Sequence, residues 1–140
     1  MTDIVKPREA ARQPTIRTWP RPSDINHNGH IFGGWILSQM DFAGGIAAAR
    51  LCGGTVATVA VEAMKFHRPV LVSDWLSVYT EISKVGHTSI SVDIEVAVLR
   101  RDESQEIKVT EGTFIFVHID GEGRPTPIPE DRKILAGRRG

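Results

Sequence analysis

One apolar stretch dominates the chain: Phe32-Gly33-Gly34-Trp35-Ile36-Leu37-Ser38-Gln39-Met40-Asp41-Phe42-Ala43-Gly44-Gly45-Ile46-Ala47-Ala48-Ala49. Its composition predicts a helix from about Gly33 to Leu51, which is apolar on nearly every side and is therefore expected to be buried. The sequence Cys52-Gly53-Gly54 ends this helix, because glycine readily adopts the left-handed conformation that closes a helix. Asp41 alone carries a charge here, and an unpaired charge in an apolar interior is costly. We therefore expect Asp41 to have a partner or a chemical role.

The rest of the chain has the period of two that is typical of β-strands. A short strand is predicted near residues 15–19, and four long strands at residues 56–68, 75–85, 89–99 and 107–119. Consecutive strands joined by short connections are expected to pair antiparallel. One helix cannot cover both faces of such a sheet. The pattern therefore predicts an α+β domain in which a curved antiparallel β-sheet wraps around one long central helix, with a free sheet edge suited to dimerisation.

The length of 140 residues fits one domain. We assign residues 1–14 to a flexible N-terminal arm, residues 15–120 to the domain, and residues 121–140 to a C-terminal tail. Lys+Arg and Asp+Glu both number 17, which argues against nucleic-acid binding, since that needs an excess of basic residues. No apolar run is long enough for a membrane span or a signal peptide. Cys52 is the only cysteine, so no intrachain disulfide can form, which favours the cytoplasm.

Several motifs surround the predicted helix. Asn26-His27-Asn28-Gly29-His30-Ile31 leads into Gly33-Gly34-Trp35, and Ser38-Gln39-Met40-Asp41 follows. Together with Val61-Glu62-Ala63-Met64-Lys65-Phe66-His67-Arg68-Pro69-Val70 and Gly86-His87-Thr88-Ser89, they resemble the hotdog-fold acyl-CoA thioesterases of the bacterial YciA type. The similarity covers roughly residues 15–120. It implies a hotdog fold, homo-oligomers built from dimers (tetramers or hexamers), and hydrolysis of acyl-CoA to a free acid and CoA. No cofactor is expected, since CoA is part of the substrate and product.

The resemblance also implies two catalytic residues, because in such enzymes the Asp and the Asn of the motif act together from different subunits. They correspond to Asp41 and Asn26. Asp41 would be the general base that aligns a water, or the direct nucleophile. Asn26 would orient water or bond the thioester oxygen, although it could also simply form a turn. His30 departs from the family, which usually has Asp there, so acyl preference or loop pairing can differ.

The start of the helix is the predicted site for the thioester oxygen. The backbone of Gly33 and Gly34 offers unpaired N–H groups and the positive end of the helix dipole. The alternative is that these glycines only allow close helix–sheet packing. Asp41 lies seven residues beyond Gly34, roughly 10 Å along the axis at 1.5 Å per residue. We therefore predict an active site across a dimer interface, which pairs Asp41 of one subunit with Asn26 and Gly34 of the other.

Other residues are candidates for contacts with CoA. Arg68 and Lys84, at the ends of strands expected to be adjacent, would bind the phosphates, and Thr88 and Ser89 would donate hydrogen bonds. The alternative is that all four are ordinary solvated strand ends. His27 and His30 have no nearby acidic or cysteine ligand, so no metal is expected.

Three hypotheses about function remain from the sequence. The leading one is an acyl-CoA thioesterase. A hydratase acting on enoyl-CoA on the same fold would pair a histidine, here His30, with a carboxylate. A non-catalytic acyl-CoA-binding protein would tolerate the loss of Asp41. The chain has no Gly-x-Ser-x-Gly motif, which argues against an esterase with a serine nucleophile.

Overall fold

The computed structural model describes residues 12–137. Its elements, in order, are β1 (Ile16–Thr18), α1 (Gly33–Cys52), β2 (Thr55–Phe66), β3 (Trp75–Val85), β4 (Ser89–Leu99), β5 (Ile107–Ile119) and α2 (Glu130–Gly137). The strands form one antiparallel sheet in the order β1-β3-β4-β5-β2, and α1 packs on one face of it. Most of the predicted N-terminal arm, residues 1–14, lies outside the described residues.

One face of α1 makes the core contact with the sheet. Its buried residues recur at helical spacing: Ile36, Met40, Ala43, Gly44, Ala48 and Cys52. They meet the strand side chains that alternate onto the same side: Ile90, Val92, Ile94, Val96 and Val98 of β4, and Phe114 and Phe116 of β5. A Cβ atom on Gly44 would lie 2.7 Å from Ile94 Cδ1 and 2.8 Å from Phe116 Cζ. The helix therefore approaches the sheet this closely because residue 44 has no side chain.

The other face of α1 is not covered, which corrects the expectation of a helix buried on all sides. Gly34, Ser38, Asp41 and Phe42 are exposed on it, and 65% of Phe42 is accessible. The physical reason is that the sheet of a single chain covers only one side of the helix. The apolar sequence of the opposite side therefore indicates a surface that a further element must cover.

The expected pairing of consecutive strands is wrong for β2 and β3. These strands are joined by residues 67–74, which are too long and too irregular for a hairpin turn. The connection instead passes the ends of β5 and β4, where the His67 amide donates to the Val109 carbonyl (2.7 Å). As a result β2 pairs with β5 and occupies one edge of the sheet. Val59, Val61 and Phe66 are exposed on this edge strand.

The segment after β5, predicted to be a tail, packs against the domain as far as it is described. Ile119 forms a β-bridge with Pro125, and Ile128 is buried, with its amide donating to the His87 carbonyl (2.8 Å). The following helix α2 contacts α1. Prolines gave the segment the appearance of a tail, but the burial of Ile128 fixes it in place. Neither α1 nor α2 is long and apolar enough to cross a bilayer.

Candidate functional site

The start of α1 has two backbone amides that the fold leaves available. No side chain caps the helix at Phe32. The Phe32 amide donates to the Asp24 carbonyl (2.9 Å) and the Trp35 amide to the Phe32 carbonyl (3.1 Å). Within residues 12–137, the amides of Gly33 and Gly34 have no acceptor. Together with the helix dipole, they make a site suited to an oxygen that carries negative charge.

The two glycines do not serve close helix–sheet packing, which was the alternative explanation for them. A Cβ atom on Gly34 would meet nothing within 4 Å, and one on Gly33 would only touch the ring of Phe66 at 3.8 Å. The space in front of Gly34 is therefore open to a ligand, whereas Phe66 forms a wall beside Gly33.

Asn26 organises the loop that leads to the helix. Its side-chain Oδ1 accepts hydrogen bonds from the amides of Asn28 (2.9 Å) and His30 (3.1 Å), and its own amide donates to the His30 carbonyl (2.6 Å). Gly29, with φ of +81°, closes this turn. The oxygen of Asn26 is thus used by the loop. Its Nδ2 group donates no hydrogen bond within the described residues.

Asp41 is exposed in this chain, and not buried as its apolar neighbours suggested. Its Oδ1 accepts a hydrogen bond from the hydroxyl of Thr58 on the edge strand β2. Since α1 is continuous, the seven residues between Gly34 and Asp41 correspond to roughly 10 Å along the axis. The carboxylate therefore lies beside the unpaired sheet edge, away from the amides at the start of its own helix.

Arg68 and Lys84 are not at the ends of adjacent strands, contrary to the expectation. Lys84 pairs with Ser91 of β4, whereas the Arg68 amide contacts the Val109 carbonyl (3.3 Å), next to the residue that pairs with Val96. Val96 lies five positions after Ser91 on β4, which is roughly 17 Å along the strand. The two cations thus lie towards opposite ends of the sheet. Both are exposed, and neither forms an ion pair within the described residues.

Thr88 and Ser89 lie near Lys84, at the turn from β3 into β4. The Ser89 carbonyl accepts the Gly86 amide (2.7 Å), and the Thr88 carbonyl accepts the His118 amide (2.8 Å). Both residues are half-buried. The structure thus brings Lys84, Thr88 and Ser89 together and separates them from Arg68.

Two features of the region had no signal in the sequence. Thr58 is one of two threonines on β2, and it lies 17 residues from Asp41 in the chain, a distance at which no helix or strand periodicity links the two. Asp74 is buried and paired with Arg100 (Nε to Oδ1, 3.2 Å), although its position before a strand is that of an ordinary turn residue. Among residues 12–137, no three His, Cys, Asp or Glu side chains are grouped to hold a metal ion.

An antiparallel sheet packed on one long helix, with free amides at the helix start and a carboxylate two turns further on, defines a hotdog-fold protein. The Thioesterase superfamily model matches residues 28–104. The chain is 47% identical over 117 residues to the acyl-CoA thioester hydrolase YciA of Salmonella typhimurium, which covers 81% of this chain and 88% of that protein.

Solved structures agree with this match. A hexameric hotdog-fold thioesterase of Campylobacter jejuni superimposes with a TM-score of 0.85 and 40% identity, covering 89% of this chain and 96% of that one. HI0827, a hexameric broad-specificity acyl-coenzyme A thioesterase, gives a TM-score of 0.81 and 41% identity, covering 93% and 90%. The chain belongs to the thioesterase superfamily, and the hotdog fold predicted from its sequence is confirmed.

Proposed function

We propose that the protein is an acyl-CoA thioester hydrolase that releases a free carboxylic acid and CoA. The observation that carries this proposal is the pair of free amides of Gly33 and Gly34, with open space in front of Gly34. The names of the relatives, acyl-CoA thioester hydrolase and acyl-coenzyme A thioesterase, support the substrate class. No cofactor is needed for this reaction.

The chemistry follows from where charge develops. Attack on the thioester carbon moves negative charge onto the carbonyl oxygen, which the amides of Gly33 and Gly34 stabilise, with Nδ2 of Asn26 as a further donor. One such donor is worth about 10²–10³ in kcat. Asp41 either takes a proton from the attacking water or attacks the carbon itself to form an anhydride that water then hydrolyses. In both cases the C–S bond breaks and the CoA sulfur leaves as thiolate and takes up a proton.

The site needs two chains in this proposal. Asp41 lies beside the unpaired edge of β2, where Phe42, Val59, Val61 and Phe66 expose apolar surface. Exposed apolar patches and unpaired strand edges are typical of interaction surfaces. We propose that two copies pair along β2, which brings Asp41 of one chain to Asn26 and Gly34 of the other. Because the solved relatives are hexameric, a hexamer built from such dimers is favoured over a tetramer.

The contacts with CoA divide into two groups. Lys84, Thr88 and Ser89 form one polar group that suits the phosphates and the pantetheine. Arg68 lies towards the other end of the sheet, so we propose that it reaches the same CoA only across a boundary between subunits.

One experiment tests the function directly: release of free thiol from a panel of acyl-CoAs of increasing chain length. We expect turnover by the wild type and a fall of at least about 10² in kcat for Asp41→Ala and Asp41→Asn. Asp93→Ala is a matched control, because Asp93 is also exposed and also accepts from a threonine on the neighbouring strand, Thr113 (2.8 Å). It lies on the sheet face away from α1.

The alternatives give different results in this assay. A hydratase would consume enoyl-CoA without releasing thiol, and a binding protein would retain acyl-CoA without turnover. Equal kcat for Asp41→Ala and the wild type would remove the role given to Asp41. Absence of thiol release from every acyl-CoA would refute the hydrolase itself.

A further inference from the structure

The most deeply buried charge among the described residues lies outside the site. Asp74 is fully inaccessible. Its Oδ1 lies 3.2 Å from Nε of Arg100, and its Oδ2 accepts the Leu71 amide (2.8 Å). Arg100 also uses Nη2 to donate to the Pro69 carbonyl (2.9 Å). The guanidinium of Arg100 thus binds the connection between β2 and β3 at two groups, the Asp74 carboxylate and the Pro69 carbonyl.

The connection between β2 and β3 is hydrogen-bonded to the segment that precedes α1. Between Pro69 and Leu71 lies the buried Val70, whose carbonyl accepts the Ile31 amide (3.0 Å). Ile31 precedes the first residue of the helix by two positions, and it also forms a β-bridge with Ile25, at the base of the Asn26 loop. Hydrogen bonds and the backbone of residues 69–71 therefore link Arg100 to the two parts of the site that hold hydrogen-bond donors. These parts are the Asn26 loop and the start of α1.

We propose that Arg100, through Asp74 and the Pro69–Leu71 backbone, is a positioning residue for the amides of Gly33 and Gly34. The inference rests on the proposed hydrolase function. A buried ion pair is often no more stabilising than apolar residues of similar volume, so stability alone does not account for one here. The planar fork of arginine bonds the carboxylate and the carbonyl at once, which lysine cannot do in the same way. Displacement of reacting groups by about 1 Å can cost up to about 10² in rate.

Two variants separate positioning from stability. Arg100→Lys keeps a positive charge for Asp74 but lacks the second arm to the Pro69 carbonyl. The double variant Asp74→Asn/Arg100→Met removes both charges, so that no unpaired carboxylate is left buried. We expect both to unfold near the wild-type temperature, with kcat lowered roughly tenfold and KM changed less than about threefold. Arg101→Met is the matched control, because Arg101 is the exposed neighbour of Arg100 in the turn after β4.

A second readout does not depend on activity. Hydrogen exchange of the peptide that covers residues 26–36 reports the Ile31 amide and the helix start. We expect it to be at least about fivefold faster in both variants, with exchange in β4 unchanged. If the wild type releases no thiol from any acyl-CoA, the hydrolase proposal fails, while the exchange experiment still tests the link from Arg100 to Ile31.

Three results would overturn the proposal. The first is a double variant with wild-type kcat and exchange. The second is faster exchange of residues 26–36 without a fall in kcat. The third is a fall in kcat while the exchange of this peptide stays unchanged, since the effect would then not pass through Ile31.

Discussion

Thr58 determines where the carboxylate of Asp41 points in a single chain. Its hydroxyl donates to Oδ1, and a hydrogen bond to a carboxylate oxygen restricts the rotation of the carboxylate. In the proposed hydrolase, the second oxygen of Asp41 is the one that aligns the attacking water. Thr58 therefore orients Asp41 through a hydrogen bond across from the edge strand.

We expect Thr58→Val to lower kcat for acyl-CoA hydrolysis roughly tenfold, because a hydrogen bond to a charged group contributes about 1.5 kcal/mol or more. Thr58→Ser keeps the hydroxyl and should retain most of the activity. Steady-state kinetics of both variants on one acyl-CoA provide the test. Equal losses in the valine and serine variants would mean that packing of the threonine, and not its hydroxyl, is what matters.

Tyr79 is the only tyrosine in the chain, so the ionisation of its phenol can be followed without a contribution from another tyrosine. Its side chain lies on the sheet face away from α1. Burial raises the pKa of its phenol, and the hydrogen bond to Glu106 (2.6 Å to Oε2) and the charge of Glu106 raise it further. A raised pKa means that the folded state favours the protonated phenol. The stabilisation is fully present below the ordinary pKa of about 10 and is lost as the pH rises through the folded value.

We follow the ionisation of Tyr79 by tyrosinate absorbance near 295 nm. We expect its midpoint to lie above the ordinary value of about 10 in the folded protein and to return to that value in urea. Glu106→Gln keeps an acceptor but removes the charge, so it should move the folded midpoint back towards the unfolded one. A midpoint that is identical in the folded protein, the variant and urea would contradict the environment described for Tyr79.

The sequence predicted a partner or a chemical role for Asp41, but the reason for this prediction was partly wrong. A lone charge in an apolar helix did identify the residue, but Asp41 is exposed and bonded to Thr58 in the isolated chain. Hydrophobic composition cannot distinguish a helix face covered by its own sheet from one covered by another chain. The turn-forming role of the Asn26 oxygen was foreseen as an alternative, because Asx turns depend only on local sequence.

At the level of elements, the bounds of α1, β3, β4 and β5 are close to those predicted from the sequence. Periodicity determines them, and each of these elements buries one face, which keeps the pattern clear. The pairing of β2 with β5, and not with β3, could not be predicted. It depends on the path of residues 67–74, which is held by Arg100 and Asp74, two residues far apart in the chain.

Two neighbouring glycines of α1 give a matched test of how the helix packs. Alanine at either position gains about 1 kcal/mol of helix propensity. At Gly44 its Cβ would collide with Ile94 and Phe116, whereas at Gly45 it would only touch Phe116 at 3.8 Å. We expect Gly44→Ala to lower the free energy of unfolding by about 1–3 kcal/mol and Gly45→Ala to leave it equal or raise it slightly. Urea titrations measure both, and a Gly44→Ala protein as stable as Gly45→Ala would contradict the close contact.

At the level of the whole molecule, the single chain has one side whose apolar surface is exposed. The edge of β2 and the outer face of α1 meet there, and 65% of Phe42 and 53% of Phe66 are exposed. The carboxylate of Asp41 lies on this side, and the free amides of Gly33 and Gly34 are roughly 10 Å away along the helix. A two-fold pairing of this side would bring each carboxylate to the helix start of the other chain, since such an interface uses the same patch twice.

Mixed oligomers test this arrangement. Asp41→Ala removes the carboxylate, and Asn26→Asp removes the Nδ2 donor while keeping an oxygen for the turn with Asn28 and His30. Each variant alone should be nearly inactive. When the two are co-expressed in equal amounts, about half of the dimers are mixed, and each mixed dimer has one site with both intact residues. Free-thiol release should therefore recover to about one quarter of the wild-type rate.

The control for this experiment is co-expression of Asp41→Ala with Asp41→Asn, which leaves no intact carboxylate in any chain and should recover nothing. If the residues of one site came from the same chain, each site in the first mixture would lack either Asp41 or Asn26, whatever the pairing. Activity would then stay at the level of the separate variants. Recovery in the first mixture but not in the control therefore distinguishes a site shared between two chains from a site formed within one chain. Only a dimer that contains one chain of each variant can bring an intact Asp41 and an intact Asn26 together.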